Sequence, residues 1–479
     1  MPSAPYEPGV IVEPVIVVGG GPGGLTAALE LTRLGIRPHV IEKSERLGGL
    51  ARTESFMGAH FDMGGHRFYT KWPEIEALWR EVLGEDLLVR PRLSRIYYRG
   101  RFFPYPLQIG PTLTGLGFIE SVRIAASYLK AMLSFKASEA SFAQWVTHRF
   151  GRRLFETFFK SYTEKVWGVS THELRADWAE QRLKGLSVSS LVRGALGLSS
   201  GRVRSLVETF SYPRLGPGLM WKRVADIVRD RGGRVDQGGC MIEVHHGDDR
   251  VASIVTRRGD ESVETRTSAL ISSMPIGELV FALRPIAPEA VIRAARDLKH
   301  RDFLTVGLIV RKADVFPDNW IYIHDPSVDV ARIQNYGNWS RDMAPDPATS
   351  SLGFEYFCNE GDERWATPDH LLIAQARAEL EALGFARSSE VEAGVVYRMS
   401  HAYPLYDGSY KESLDTVKDY LRRFANIETI GRNGLHRYNN QDHSMMTGLL
   451  AARNVAAGLR IHDVWSVGHD DGYLEEVRS

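Results

Sequence analysis

Cysteine is almost missing from this chain: there are two, Cys240 and Cys358, in 479 residues. One pair cannot staple a chain of this length, so a disulfide-built scaffold is excluded and a reducing, cytoplasmic setting is expected. Net charge is missing as well. Lys and Arg balance Asp and Glu at 59 each, which excludes a global pull toward nucleic acid or anionic membrane, so any anion site must be local. No uninterrupted apolar run approaches the ~20 residues that a bilayer span needs. The opening residues MPSAPYEPGVIVEP have no basic stretch and no long apolar core, so no signal peptide is expected. No internal repeat or low-complexity linker is visible, and the domains are expected to interweave. At ~150 residues per domain the length suits about three domains or subdomains. Apolar residues make up 43% and charged residues 25%, which is ordinary for a soluble globular chain. Aromatics are plentiful, with 10 Trp, 18 Tyr and 20 Phe; they suit a large core and flat ligands, although the core alone accounts for them.

The clearest local signal lies near the N-terminus. Val15-Ile-Val-Val18 reads as a buried parallel strand, and Gly19 to Gly24 come directly after it. Leu25 to Leu34 has helical spacing that Gly35 ends, and Pro38-His-Val-Ile-Glu42 is a second strand ending in an acid. This is a βαβ opening. In the Gly19-x-Gly21-x-x-Gly24 pattern, the first glycine allows a tight turn and the second lets backbone approach a pyrophosphate. The third lets helix and strand pack closely, while Glu42 can accept from ribose hydroxyls. The pattern therefore predicts a dinucleotide site.

Further along, residues 92–108 read as a hairpin turning at Arg99-Gly100. A helix is predicted over about 119–135, and another starts at Ser141, with Gln144 completing a capping box. The second carries the stripe Phe142, Val146, Phe150, Leu154, Phe158, Tyr162 and Val166, read as core, with a break at Gly151. Residues 234–274 alternate strands and turns. The stretch His245 to Asp249 is read as a solvated turn rather than a metal site, because its adjacent histidines lack a paired ligand at helical spacing. Strands are expected at 304–310, 320–323, 352–357 and 394–398, and a last helix over about 443–459.

Two further glycine pairs bear on the cofactor. Arg46-Leu-Gly48-Gly49-Leu-Ala-Arg52 resembles the second glycine motif of FAD-containing oxidoreductases of the amine-oxidase and mutase kind, and plain NAD dehydrogenases lack it. Phe61-Asp-Met-Gly64-Gly65-His66 suits close packing of backbone on a flat ring.

Taken together, these segments resemble the UDP-galactopyranose mutases, in particular the eukaryotic-type branch, over nearly the whole chain. The most specific stretch is Gly431-Arg-Asn-Gly-Leu-His-Arg-Tyr438 followed by Asn-Asn-Gln441-Asp-His-Ser444. Phe103-Pro-Tyr105-Pro-Leu-Gln108 is similar to the family's substrate hairpin, and Lys165-Val-Trp167-Gly to its Lys-Val-Trp loop. Trp178-Ala-Glu-Gln-Arg182 and Arg332-Ile-Gln-Asn-Tyr-Gly-Asn338-Trp-Ser340 resemble its two arginine segments.

The resemblance implies an α/β fold with a Rossmann-like FAD-binding domain on a parallel sheet, a helical subdomain and an antiparallel-sheet substrate domain. The expected boundaries are 10–92, 206–283 and 425–472 for FAD, 111–205 for the helical lid, and 93–110 with 284–424 for substrate. It implies interconversion of pyranose and furanose forms of UDP-galactose, with reduced FAD attacking the anomeric carbon through N5 and no net redox change. Arg182 and Arg332 would neutralise the departing diphosphate. Tyr403 and Tyr438 would donate to it, and Tyr105, Gln108 and Tyr322 would hold the nucleotide, with Trp167, Trp339 and Asn440 also at substrate. His66 would face the flavin, and the Gly65 carbonyl would accept from reduced N5–H. Gly19, Gly21, Gly24, Glu42, Lys43, Gly49, Leu50, Ala51, Arg432, Asn440, Gln441 and Ser444 would contact FAD.

This chain departs from the family pattern at Thr163, where the family has asparagine, and at Trp339, where it has tyrosine. It is also two residues shorter between Tyr438 and Asn440. These departures fall at substrate positions, so a GDP- or TDP-hexose stays open beside a UDP-hexose. NAD(P)H could serve as external reductant, although no second full dinucleotide fingerprint is present. No nucleic-acid partner and no metal are expected. Two other readings stay open: an FAD-dependent oxidase or desaturase of the amine-oxidase or protoporphyrinogen-oxidase type, and a flavoprotein without activity of its own.

Overall fold

The computed structural model describes residues 13–105, 107, 109–133, 139–176 and 208–468. The chain divides into two compact units. The first takes Met1–Gly49, Trp221–Arg296 and Ser413–Val467; the second takes Leu50–Met220, Asp297–Glu412 and Gly468–Ser479. Residues 50–92, expected alongside the cofactor-binding segments, fall in the second unit.

The first unit is built on a five-stranded parallel sheet, in the order Ile427–Thr429, Ala269–Ser272, Val15–Val18, Pro38–Glu42, Arg234–Gln237. The central strand Val15–Val18 is buried throughout, which is why it reads as an unbroken β-branched run. Helix Pro22–Arg33 begins with proline in its first turn and ends where Gly35 takes φ +78°. Helix Gln441–Ala457 packs against it so closely that a Cβ on Gly448 would run into the Gly23 carbonyl. A second sheet, of four strands, has the order Glu261–Arg266, Val251–Arg258, Cys240–His246, Leu283–Arg284. His245 and His246 therefore lie in a strand, not in the turn expected from sequence. His245 is held between Glu243 (3.0 Å) and Glu264 (3.1 Å), and the turn comes after it at 247–250.

The second unit centres on a seven-stranded sheet. Its order is Val391–Pro404, His300–Val310, Ser350–Cys358, Arg332–Asn335, Trp320–Ile323, Ser94–Tyr98, Arg101–Pro104. Only Trp320–Ile323 and Ser94–Tyr98 pair in parallel. Strand Ser350–Cys358 is buried along its whole length. The hairpin turns at Arg99 and Gly100, both at positive φ, as the sequence predicts. Helix Phe142–Phe150 has the predicted Ser141/Gln144 capping box and stops at Gly151, φ +82°. The chain then passes through a π-helical turn, Phe155–Lys160, into helix Ser161–Trp167. The wider turn rotates this last helix about its axis, so the sequence stripe is not one face. Phe142, Val146 and Phe150 share a cluster with Trp167, and Leu154 and Val166 pack against it, whereas Phe158 packs with Ile96 and Phe103. Tyr162 turns toward Tyr322 and His324.

Among the described residues no helix is long and apolar enough to cross a membrane, and no group of three or more His, Cys, Asp or Glu could hold a metal ion.

Candidate functional site

In the first unit the glycine pattern forms a cradle between strand and helix. A Cβ on Gly24 would run into the Gly19 carbonyl, so this glycine serves helix–strand contact. Gly21 differs. Its backbone is extended, with φ −86°, and a Cβ there would meet nothing nearer than Gly49 Cα at 3.8 Å. The protein itself therefore does not require glycine at 21, whereas a ligand lying on that backbone would. Helix Pro22–Arg33 has no side-chain cap on its N-terminus, so its first N–H groups and partial positive charge are available to a phosphate. Glu42 is buried. Its Oε2 accepts the Gly20 N–H at 2.6 Å and its Oε1 the Ser44 N–H at 2.8 Å, so it braces the glycine turn as well as ending the strand expected to reach ribose. Gly48 N–H donates to the Gly20 carbonyl at 2.8 Å, which brings the second glycine pair onto the first.

The Gly431–Ser444 segment belongs to the same unit. Arg432 Nε donates to the Asn439 carbonyl at 2.9 Å, and its guanidinium lies over the Tyr438 ring at 4.9 Å. Asn440 caps helix Gln441–Ala457, and its carbonyl receives both the N–H and the hydroxyl of Ser444. Gln441 Oε1 accepts from Trp221 Nε1 at 3.2 Å, while its buried Nε2 has no partner among the described residues. A buried donor without an acceptor and a cradle open at Gly21 both fit a flavin dinucleotide. Lys43 is exposed.

In the second unit Gly64 and Gly65 form a turn after strand Ala59–Asp62, and His66 Nδ1 lies 3.1 Å from the Gly64 carbonyl. Gly65 is exposed, and His66 is half-buried. A Cβ on Gly64 would lie 3.6 Å from Glu355 Oε1, and one on Gly65 would lie 3.4 Å from Gln334 Nε2. Under this turn Glu355, fully buried, holds Arg332 Nη2 at 2.5 Å and accepts from Gln334. Burial pushes the Glu355 carboxyl up, and the Arg332 charge pulls it back. Arg332 Nη2 also donates to the Tyr403 hydroxyl at 3.0 Å. Trp167, buried, meets the Tyr403 ring edge-on at 6.3 Å. The turn carrying it is held by Arg301, whose Nε donates to the Val166 carbonyl at 3.2 Å.

An aromatic wall adjoins this group. Tyr105 lies 4.5 Å from Tyr322, which meets Tyr162 edge-on at 5.7 Å. Arg92 sits over Tyr105 and Trp320, and burial lowers its pKa. Leu50 and Ala51 also belong to the second unit. Arg182 and Gln108 lie outside the described residues.

The Trp339 ring is buried beside Phe210 and Tyr212, and Nε1 donates to the Asn319 carbonyl at 2.8 Å. The indole N–H is thus spent inside the protein, while the ring edge borders the Gly65 turn. Glu355, Tyr162 and Arg92 join the site without any sign of it in the sequence. Glu355 sits in an apolar strand with no motif of its own, and Tyr162 falls on the spacing of the core stripe.

Asp62, directly before the glycine turn, is equally silent in the sequence. It is buried, accepts from Tyr212 (2.5 Å) and Thr53 (2.7 Å), and has no ion-pair partner among the described residues. Burial pushes its carboxyl up to about 7, against those two hydroxyls. The folded state thus keeps a proton that the unfolded chain releases above pH ~4. Stability therefore falls as pH rises from about 4 to about 7 and is level above, by at most ~4 kcal/mol. Asp62→Asn should remove this slope. In thermal melts from pH 5 to pH 8 the variant should gain on the parent as pH rises; parallel curves would contradict the assignment.

Comparison with known proteins places these features in a family. The model of "Flavin containing amine oxidoreductase" matches residues 22–457. A coproporphyrinogen III oxidase of Mycobacterium tuberculosis (strain ATCC 25618 / H37Rv) is 28% identical over 320 residues, covering 63% of this chain and 67% of that protein. A probable UDP-galactopyranose mutase of Klebsiella pneumoniae is 24% identical over 175 residues, covering 34% and 43%. The crystal structure of a reduced UDP-galactopyranose mutase superposes with a TM-score of 0.82 at 21% identity, covering 97% of this chain and 99% of that one. This last likeness is one of fold: an α/β architecture with one parallel sheet and several antiparallel ones. Since the family model spans far more than half of the sequence, the chain belongs to the flavin-containing amine oxidoreductase family.

Proposed function

We propose that this protein is a flavin-dependent mutase interconverting pyranose and furanose forms of a nucleotide-linked hexose, with UDP-galactopyranose as the first substrate to test. Family membership implies FAD. When bound and reduced, FAD supplies a nucleophilic ring nitrogen. Gly19, Gly21, Gly24, Glu42, Lys43, Gly49, Arg432, Asn440, Gln441 and Ser444 in the first unit would hold it.

The observation that carries the reading is the Glu355–Arg332–Tyr403 group. Glu355 fixes the guanidinium from behind, and Tyr403 places a hydroxyl 3.0 Å from the same nitrogen. A fork of donors plus a phenol is what a departing diphosphate requires. The Glu355–Arg332 pair has little net charge, so a second cation is needed, and Arg182 is proposed for it. Tyr105 and Tyr322 offer ring faces to a base, with Gln108 proposed beside them. The fold likeness to a reduced UDP-galactopyranose mutase supports this reading.

A second reading, an FAD-dependent oxidase, is favoured by the 28% identity to coproporphyrinogen III oxidase over 320 residues. One experiment separates them. Anaerobic, dithionite-reduced protein is incubated with UDP-, GDP- and TDP-hexoses, and products are resolved by chromatography. The mutase reading expects furanose product from the reduced form, none from the oxidised form, and no stoichiometric consumption of reductant. NADPH in place of dithionite tests the physiological reductant. Turnover of oxidised protein with hydrogen peroxide released in step with product would overturn the mutase in favour of the oxidase.

A further inference from the structure

Strand Val391–Pro404 does not pair evenly with His300–Val310. Tyr403 faces Arg301 and Met399 faces Phe303, so the single residue Asp302 stands opposite Ser400, His401 and Ala402. In an even ladder His401 would face Arg301, and Tyr403 would pair two residues further along. The bulge thus shifts Tyr403 by about 7 Å relative to its neighbour strand.

His401 sits at φ +55°, in the left-handed region that residues other than glycine seldom adopt. Such a conformation persists only where its surroundings fix it. Asp302 does the fixing. It is buried; its Oδ1 accepts the His401 N–H at 2.7 Å and its Oδ2 accepts the Glu360 N–H at 2.7 Å. One carboxylate therefore ties the bulge to the turn after the adjoining strand Ser350–Cys358. Two residues past His401, the Tyr403 ring lies against Phe303 (6.0 Å) and Phe357 (5.7 Å), with its hydroxyl on Arg332.

We propose that Asp302, acting through the His401 bulge, is the positioning residue for Tyr403, and so sets the hydroxyl–guanidinium pair that would grip a nucleoside diphosphate. The mutase reading enters only in what the pair grips.

The test uses the FAD-loaded full chain with UDP as probe, titrated calorimetrically against the parent, Asp302→Asn, Tyr403→Phe and the double variant. In Asp302→Asn the amide keeps one acceptor but turns a donor on the second N–H. Each single change should weaken UDP binding about tenfold. If Asp302 acts through Tyr403, the double variant should be no more than about twofold weaker than Tyr403→Phe alone. A purely structural role predicts additive losses, and additivity would overturn the proposal, as would parent-like binding by Asp302→Asn. Should Asp302→Asn fail to fold, Asp302→Glu keeps charge and acceptors at a shifted position and carries the same expectation.

If the parent does not bind UDP at all, the nucleotide-sugar reading fails by itself. Positioning is then decided by the crystal structure of the Asp302 variant: a Tyr403 hydroxyl moved off Arg332 supports it, and a hydroxyl still at hydrogen-bond distance overturns it.

Discussion

Arg332→Ala should lower turnover of the nucleotide sugar about 10²–10³-fold, a barrier increase of roughly 2–4 kcal/mol, with FAD content unchanged. The charge on a departing diphosphate grows as the glycosidic bond breaks, so the loss should appear in kcat more than in substrate affinity. The fold should survive. Removing the guanidinium leaves Glu355 buried, but burial already pushes that carboxyl up, so it takes a proton instead of remaining an uncompensated anion. Arg332→Lys should recover only part of the rate, because one ammonium cannot serve Glu355, Tyr403 and a phosphate in the same fork. Arg182→Ala and Arg182→Lys are expected to behave alike. Near-normal turnover in both alanine variants, measured beside flavin absorbance, would sink the diphosphate assignment.

The second large effect separates two glycines three residues apart. Gly21→Val should reduce bound flavin from stoichiometric to trace while the protein without cofactor melts close to its parent. The extended backbone at Gly21 tolerates a side chain, and the nearest atom to a Cβ is 3.8 Å away, so the obstruction falls on the ligand. Gly24→Val should instead cost the fold about 3 kcal/mol or more, because its Cβ would drive the helix off the Gly19 carbonyl. The measurement is the flavin-to-protein ratio together with the melting temperature of apoprotein. Full flavin occupancy in Gly21→Val would remove the cradle from the cofactor site, and an apoprotein destabilised as badly as Gly24→Val would make Gly21 a packing residue.

Interactions between near neighbours in the chain settle the local elements. The strand Val15–Val18, the glycine turn, helix Pro22–Arg33, the Arg99–Gly100 hairpin and the Ser141/Gln144 cap all arise from residues a few positions apart. Their chemistry is steric and local, so they are legible without knowledge of the fold. What the site residues touch depends instead on contacts between segments far apart in the chain. Arg332 meets Glu355 because strand Arg332–Asn335 pairs with Ser350–Cys358 in a register that sets those two opposite each other. Nothing in either segment announces it, since Glu355 sits in a strand buried along its whole length. The same holds for Trp339, whose N–H is taken by Asn319, and for Tyr162, which a π-helical turn rotates out of its stripe. Register between distant strands depends on the summed packing of whole faces, and local periodicity does not record which residues those faces will oppose.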